Sequence, residues 1–348
     1  MTISPNNPMG TEGFSFVEFA TLQRAKLEEQ FHEMGFVLVG DHDAQSMTHH
    51  EQGDIHFLIN TKQGTKASLF AEKHGAAACG MGFRVADAGY AFDRAVKLGA
   101  KPVKDADLPL PAIWGVGGSV LYFVDTLLEN ALFTQFFQPQ NRVLTQTRGV
   151  GLRYIDHLTH NLNRGHMDEW ADFYTRLFNF SQIRYFDIKG KQTGLISRAM
   201  GSPCGKIKIP LNESVDDKSQ IEEFLHEFHG EGIQHIALAT ESIYDTVEHL
   251  RKDGIEFMDV PDTYYEMIED RLPDNGEDVT RMHKSYILID GNTREEPKKV
   301  LLQIFTKTML GPVFFEIIQR KGDEGFGEGN FQALFESIER DQIRRGVL

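Results

Sequence analysis

"HGEGIQHIALATESIYDTVEHLRKDGI" (229–255) and "HGAAACGMGFRVADAGYAFDRAVKLGA" (74–100) align without a gap. The offset is 155 residues at the opening His-Gly (74 to 229) and again at the glycine near the end (99 to 254). Each copy reads as an apolar strand followed by an amphipathic helix, with stripes such as Phe92/Ala95/Val96 and Ile243/Val247/Leu250. The copies differ in one chemical respect: His235 in the later one faces Gly80 in the earlier one. A duplicated module with an imidazole in one copy and no side chain in the other implies a site kept in one half only.

A second pair of copies extends the pattern. "GFSFVEF" (13–19) matches "GLRYIDH" (151–157) at an offset of 138. Both stretches alternate and are rich in aromatic and β-branched residues, so both are expected to be strands. Each precedes a helical stripe, Leu27/Phe31/Met34 in one half and Trp170/Phe173/Tyr174/Leu177 in the other. Later strands are expected at 119–125, 284–290, 299–306 and 312–320. Strand, helix, then several strands therefore recurs as two pairs of modules. One such module cannot close a core, whereas two side by side curl a sheet around a cavity. The polar stretch "FFQPQNRVLTQTRGVG" (136–151) separates the halves. The expected fold is α+β with two domains, 1–145 and 146–348, each a half-open β-barrel of paired βαβββ modules.

Composition bounds the function. A chain of 348 residues can form two ordinary domains, and 41% hydrophobic with 25% charged residues is that of a globular protein. The net charge of −15 argues against nucleic acid or an anionic membrane as partner. No apolar run reaches the roughly 20 residues of a membrane helix, and "MTISPNNPMG" lacks the features of a secretion signal. Two cysteines in separate halves, Cys79 and Cys204, form no disulfide framework. The expectation is a protein of the reducing cytoplasm.

Three strands of the C-terminal half carry His157, His235 and Glu316, separated by 78 and 81 residues. By the offsets, their N-terminal counterparts are Phe19, Gly80 and about Phe123, none a ligand. Two imidazoles and one carboxylate on a metal with open positions suit ferrous iron in oxygenases. A lone strand histidine is more often a core or surface residue than a ligand. Glu316, however, interrupts the apolar run "VFFEIIQ" (313–319), where an unpaired carboxylate is costly. His160, three residues along from His157, is expected on the opposite face. His49, His50 and His56 resemble ligands by composition. Read as part of a polar loop without a repeated counterpart, they are expected to hold no metal.

"GFGEGN" (325–330) lacks the Lys-Ser/Thr of a phosphate loop. After it, "NFQALFESIERDQIRRG" (330–346) is expected to form a helix with Asn330 as N-cap and Phe331, Leu334, Phe335 and Ile338 on one face. Following a glycine hinge, it is expected to act as a lid over the barrel mouth.

The motifs "YIDHLTHN" (154–161), "GIQHIAL" (232–238), "LLQIFTK" (301–307), "FFEIIQRKG" (314–322) and "GFGEGNFQALFESIERDQ" (325–342) resemble the 4-hydroxyphenylpyruvate dioxygenases. The likeness runs essentially the whole chain and includes "QGDIHFLIN" (52–60). It implies the vicinal-oxygen-chelate fold and one Fe(II) per subunit on His157, His235 and Glu316. It implies substrate contacts at Ser197, Asn212, Gln220, Gln234 and Gln303, with aromatic walls from Phe305, Phe331 and Phe335. No catalytic group beyond the iron site is required. The implied reaction joins a small 2-oxo acid, 4-hydroxyphenylpyruvate, to the co-substrate O₂. Decarboxylation, ring hydroxylation and side-chain migration give homogentisate, in tyrosine and phenylalanine catabolism. Such enzymes form homo-oligomers, dimers or tetramers.

Alternatives remain at this stage. A 4-hydroxymandelate synthase shares fold, metal and substrates, but the polar Asn212 in "IPLN" (209–212) resembles the dioxygenase instead. A ring-cleaving or glyoxalase-like metalloenzyme and a non-catalytic aromatic-acid binding protein are readings of other classes.

Overall fold

The computed structural model describes residues 2–139, 149–189, 194–334 and 344. The boundary expected at 145/146, Phe335 and most of 330–346 lie outside these residues.

The first sheet comprises β1 (Phe14–Ala20), β2 (Val37–His42), β3 (Met47–Gln52), β4 (Ile55–Asn60), β5 (Ala77–Arg84), β6 (Ala112–Trp114), β7 (Val120–Val124) and β8 (Gln138–Pro139). The second comprises β9 (Leu152–Leu162), β10 (Ser181–Lys189), β11 (Gly194–Gly201), β12 (Lys208–Ser214), β13 (Gly232–Thr240), β14 (Leu288–Asn292), β15 (Lys299–Phe305) and β16 (Phe314–Lys321). Their orders are β6-β7-β5-β1-β4-β3-β2-β8 and β14-β15-β16-β13-β9-β12-β11-β10. Superposing the two orders matches β5 with β13, β1 with β9 and β7 with β16. The α+β architecture of duplicated modules is therefore present. Among the described residues, the module beginning at β5 has two strands after its helix rather than three.

Helices cover the outer face of each sheet, and their local chemistry is readable. Thr65 and Ser68 form a capping box on helix Lys66–His74, Asp125 caps Thr126–Ala131, and Ser219 caps Gln220–Phe228. The helix after β5, Ala88–Lys97, buries Ala88, Ala91 and Ala95 while Val96 is exposed, so its stripe is rotated from the expected one. The main core lies between sheets and helices and includes both halves. Phe57 of β4 meets Phe315 of β16 at 6.0 Å between ring centroids. Gly53, at φ +61°, lets the β3–β4 turn close on β9; a Cβ there would sit 2.7 Å from the Leu152 and Arg153 carbonyls. No helix among the described residues is long and apolar enough to cross a membrane.

Register corrects one sequence expectation. β5 pairs with β1 so that Gly82 opposes Phe16, and with β7 so that Gly82 opposes Tyr122. In the second sheet Ala237, the counterpart of Gly82, opposes His157 and Glu316. The N-terminal equivalents of the three candidate ligands are thus Phe16, Gly80 and Tyr122, not Phe19 and Phe123. Phe19 and Phe123 belong to the outer core, whereas Phe16 and Tyr122 pack together inside the first sheet at 5.5 Å. A strand has a period of two, so a slip of one or three residues moves a side chain to the other face.

Candidate metal centre

His157, His235 and Glu316 come from three adjacent strands, β9, β13 and β16. Residues directly opposite in paired strands project to the same face, and Ala237 stands opposite both His157 and Glu316. The donor atoms converge: Glu316 Oε2 lies 3.3 Å from His157 Nε2 and 3.4 Å from His235 Nε2, and the donor set fits within 4.8 Å. Cis ligands about 2.1 Å from a first-row metal lie about 3 Å apart, so this spacing admits an ion after small adjustment. The donors fit in kind as well. Glu316 is buried, and its Oε1 has no hydrogen-bond partner among the described residues. A buried carboxylate oxygen without a partner calls for a cation or a donor.

Each imidazole is oriented through its other nitrogen. His157 Nδ1–H donates to Asp156 Oδ1 at 2.8 Å, and His235 Nδ1–H to Gln234 Oε1 at 2.9 Å. A carboxylate only accepts, so Asp156 fixes the His157 tautomer and leaves Nε2 as the free donor of a lone pair. Both orienting residues are chain neighbours of the histidine they hold, which regular alternation forbids. Besides Arg153 near the start of β9, the pairing of β9 with β13 skips Asp156 between Ile155 and His157 and Gln234 between Ile233 and His235. The β-bulges at Asp156 and Gln234 turn orienter and candidate ligand toward the same side. The first sheet has both irregularities at matching positions, where Ser15 and Cys79 are skipped.

Electrostatics follow from burial and pairing. Burial would raise the Glu316 pKa, but the His157 and His235 imidazoles outweigh it and hold the carboxyl at about 2. Burial opposes protonation of His157, yet Glu316 and Asp156 together raise its pKa. For His235 burial dominates and the pKa falls. Asp156 is buried but held well below the usual carboxylate range by Arg320 and His157. Arg320 Nε and Nη2 grip its two oxygens at 2.8 Å each.

Several residues expected to contact substrate share the ligands' face. Gln303 and Phe305 on β15 oppose Ile318 and Glu316, and Ser197 on β11 opposes Asn212 on β12, which opposes Asn161 on β9. Asn212 Nδ2 donates to Asn161 Oδ1 at 3.3 Å. Phe314 stacks on His235 at 5.0 Å, and Phe305 meets the same ring edge-on at 6.3 Å. Gln234 is engaged with His235. Gln220 is exposed at the first turn of its helix, Phe331 is 38% exposed, and Phe335 lies outside the described residues. Asn330 is inside helical turns that begin at 328 rather than capping them. Its Oδ1 accepts from Tyr264 at 2.6 Å. Gly327, at φ +75°, presses on the Gln303 side chain, leaving no room for a Cβ.

Sequence reasoning did not identify Asp156, Arg320, Thr159, Asn161, Phe314 or Phe326 as part of this site. Thr159 Oγ1, Asn161 Nδ2 and Gln303 Oε1 are buried without a hydrogen-bond partner among the described residues, as is Glu316 Oε1. "YIDHLTHN" held the available signal, a run of polar residues alternating inside a buried strand. His160 points away as expected, to Tyr174 Oη at 3.0 Å.

His49, His50 and His56 are on β3 and β4, not in a loop. His49, Glu51 and His56 form a second group of potential ligand atoms, but His49 Nε2 and His56 Nδ1 hydrogen-bond each other at 2.9 Å. Phe133 stacks on both rings, and burial lowers their pKa values to about 2 and about 4. His50 contacts Thr48.

Residues 5–138 match the family model for the hydroxyphenylpyruvate dioxygenase N-terminal region. Residues 154–271 match that of the glyoxalase/bleomycin resistance protein/dioxygenase superfamily. The 4-hydroxyphenylpyruvate dioxygenase of Legionella pneumophila (strain Philadelphia 1) is 58% identical over 99% of this chain and 98% of its own length. That of Pseudomonas aeruginosa is 51% identical over 99% and 98%. Among solved structures, a xylose isomerase-like TIM barrel/4-hydroxyphenylpyruvate dioxygenase fusion protein superposes with a TM-score of 0.81 at 28% identity. It covers 97% of this chain and 54% of its own. Fold, likeness along the full length and a buried group of two histidines and a glutamate agree, and the chain belongs to the 4-hydroxyphenylpyruvate dioxygenase family.

Proposed function

We propose that His157, His235 and Glu316 hold one Fe(II), and that the 146–348 half uses it to convert 4-hydroxyphenylpyruvate and O₂ to homogentisate and CO₂. The observation that carries this reading is the convergence of both Nε2 atoms on Glu316 Oε2, each imidazole held from behind at Nδ1. When bound, Fe(II) supplies a chelation point for the 2-oxo acid and a means of activating O₂.

The protein's own groups do the rest by position. With Asp156 neutralised by Arg320, Glu316 supplies the negative charge that faces the metal position. Divalent iron with one glutamate keeps a net charge of +1, which the substrate carboxylate can neutralise without an arginine. Phe305 and Phe314 give an apolar wall beside His235, suited to an aromatic ring. Ser197, Asn212 and Asn161 present a polar patch on the same face, able to hold the phenol end. Gln303 Oε1 and Thr159 Oγ1 need partners that a bound ligand could supply. Phe326 covers His157 edge-on at 5.3 Å and helps exclude water. Gln220, Phe331 and Phe335 join the substrate set by resemblance alone.

The test is anaerobic loading with Fe(II), addition of 4-hydroxyphenylpyruvate, then oxygen, with product identification. Before oxygen, 4-hydroxyphenylpyruvate should raise a weak visible charge-transfer band that 4-hydroxyphenylacetate, lacking the keto oxygen, does not. Equal spectra would refute chelation by the oxo acid, and 4-hydroxymandelate as product would refute the assigned reaction.

A further inference from the structure

Arg320 sits on β16, four residues after Glu316, with its side chain almost fully buried. Its guanidinium serves two partners. Nε and Nη2 hold Asp156, whose Oδ1 also accepts from His157 Nδ1–H. Nη1 donates to the backbone carbonyls of Gly325 at 2.7 Å and Asp323 at 3.1 Å. Phe326, between these features, lies over the guanidinium at 5.6 Å and meets the His157 ring at 5.3 Å. A continuous path thus runs from a candidate ligand to the turn that follows β16. Only a planar fork with five donors can grip a carboxylate at two points and still reach two carbonyls.

That turn is docked on the candidate site. Gly327 presses on Gln303, Gly329 N–H donates to Asp290 Oδ2 at 2.7 Å, and Asn330 accepts from Tyr264. We propose that Arg320 is a positioning residue that couples the seating of residues 323–330 to the metal affinity of His157. With the turn seated, the outer donors of Arg320 are satisfied and its fork holds Asp156 in line with Nδ1. With the turn displaced, Nη1 loses both carbonyls, Phe326 leaves both groups, and the fork no longer fixes Asp156. Coupling between two binding events is reciprocal, so a bound metal must tighten the turn by the factor by which the turn tightens the metal.

The proposal rests on His157, His235 and Glu316 being the metal ligands, and the experiment separates the two claims. Hydrogen–deuterium exchange of residues 323–330 is followed in the full chain, with and without anaerobic Fe(II), beside metal affinity by chelator competition. In the unsubstituted protein Fe(II) should slow exchange of this segment by about fivefold or more. Arg320→Gln should lose about 10- to 100-fold in metal affinity, and Fe(II) should no longer slow the turn. Should that variant not fold, Asp156→Asn combined with Arg320→Gln removes both buried charges, while the introduced amide oxygen can still accept from Nδ1–H. Its affinity should return to within about tenfold of the original, with the turn still insensitive to Fe(II). Arg320→Lys should recover part of the affinity but not the response. A turn protected by Fe(II) as strongly in the two Gln variants as in the original would overturn the coupling, as would Fe(II) binding that leaves the original turn unchanged. If His235→Ala bound Fe(II) undiminished, the ligand assignment itself would fail, and the proposal with it.

Discussion

Asp156 precedes His157 by one residue, yet its carboxylate lies 2.8 Å from that imidazole's Nδ1. A regular strand would send the two side chains to opposite faces. The bulge in β9 allows a candidate ligand and its orienter to be consecutive, and β13 repeats the device with Gln234 and His235.

The ligand assignment makes a direct prediction. Replacing His157, His235 or Glu316 with Ala should reduce bound Fe(II) to near background after anaerobic reconstitution and desalting, with turnover lost. His160→Gln, His49→Gln and His50→Gln should keep iron stoichiometry near that of the original protein, because their ring nitrogens point to Tyr174, His56 and Thr48. Iron content measured per chain decides between the two sets. A fully active Glu316→Ala protein would refute the site.

Asn212 is expected to act on the substrate and not on the metal. It faces the barrel beside Asn161, two strands from β13. Asn212→Leu should retain iron but yield less homogentisate per O₂ consumed, or divert product. The ratio is read by an oxygen electrode beside chromatography.

The inside of the first sheet predicts a pH effect on stability. Glu18 is buried, and burial raises its pKa to about 7 despite hydrogen bonds from Asn60 (2.8 Å) and Tyr122 (2.9 Å). Its folded pKa exceeds the unfolded one, so its neutral form stabilises the fold fully below about pH 4.5. That contribution is lost as pH rises through about 7. The loss is on the order of 3 kcal/mol at most. Glu18→Gln should therefore melt higher than the original at pH 8 and lose most of that advantage at pH 5, by calorimetry at both pH values. An unchanged difference between the two would show that Glu18 does not change its charge between pH 5 and pH 8, against a pKa raised to about 7.

Deleting residues 329–348 removes the Gly329 and Asn330 anchors on Asp290 and Tyr264 while leaving all three candidate ligands. The shortened chain should fold and still load iron at saturating Fe(II), though with the weaker affinity expected when residues 323–330 lose their anchors, and homogentisate formation should fall much more than O₂ consumption. Original coupling would show that this segment only packs. Loss of iron together with a collapsed melting temperature would show that it belongs to the core.

The alternation of β9, β13 and β16 was legible because a period of two survives in the sequence, and Glu316 stood out against an apolar run. The bulges were not legible, since a skipped residue leaves no compositional mark. For that reason the sequence does not reveal Asp156, nor that Gln234, expected in the substrate set, meets His235 through its Oε1. The expected counterpart of His157 is Phe19 because the match of Gly13 with Gly151 sets the offset, whereas strand pairing places Phe16, three residues earlier, at that position. His49 and His56 read as loop residues because "THHEQGDIH" (48–56) is polar in composition, although the rings are packed against Phe133, and polarity alone does not distinguish a strand from a turn.

Both bulges persist in the first sheet, at Ser15 and Cys79, although no ligand stands beside either. That half therefore shares the bulged frame of the candidate metal centre, with its interior filled. A Cβ on Gly80 would meet Glu18 Oε2 at 2.9 Å and the Tyr122 ring at 3.1 Å. Placing a histidine there would need Glu18 and Tyr122 to retreat first, and each helps hold the other. The two halves are thus alike in frame and unlike in contents. The first half is a socket plugged by its own side chains, and no single substitution can introduce a ligand there without clearing the plug.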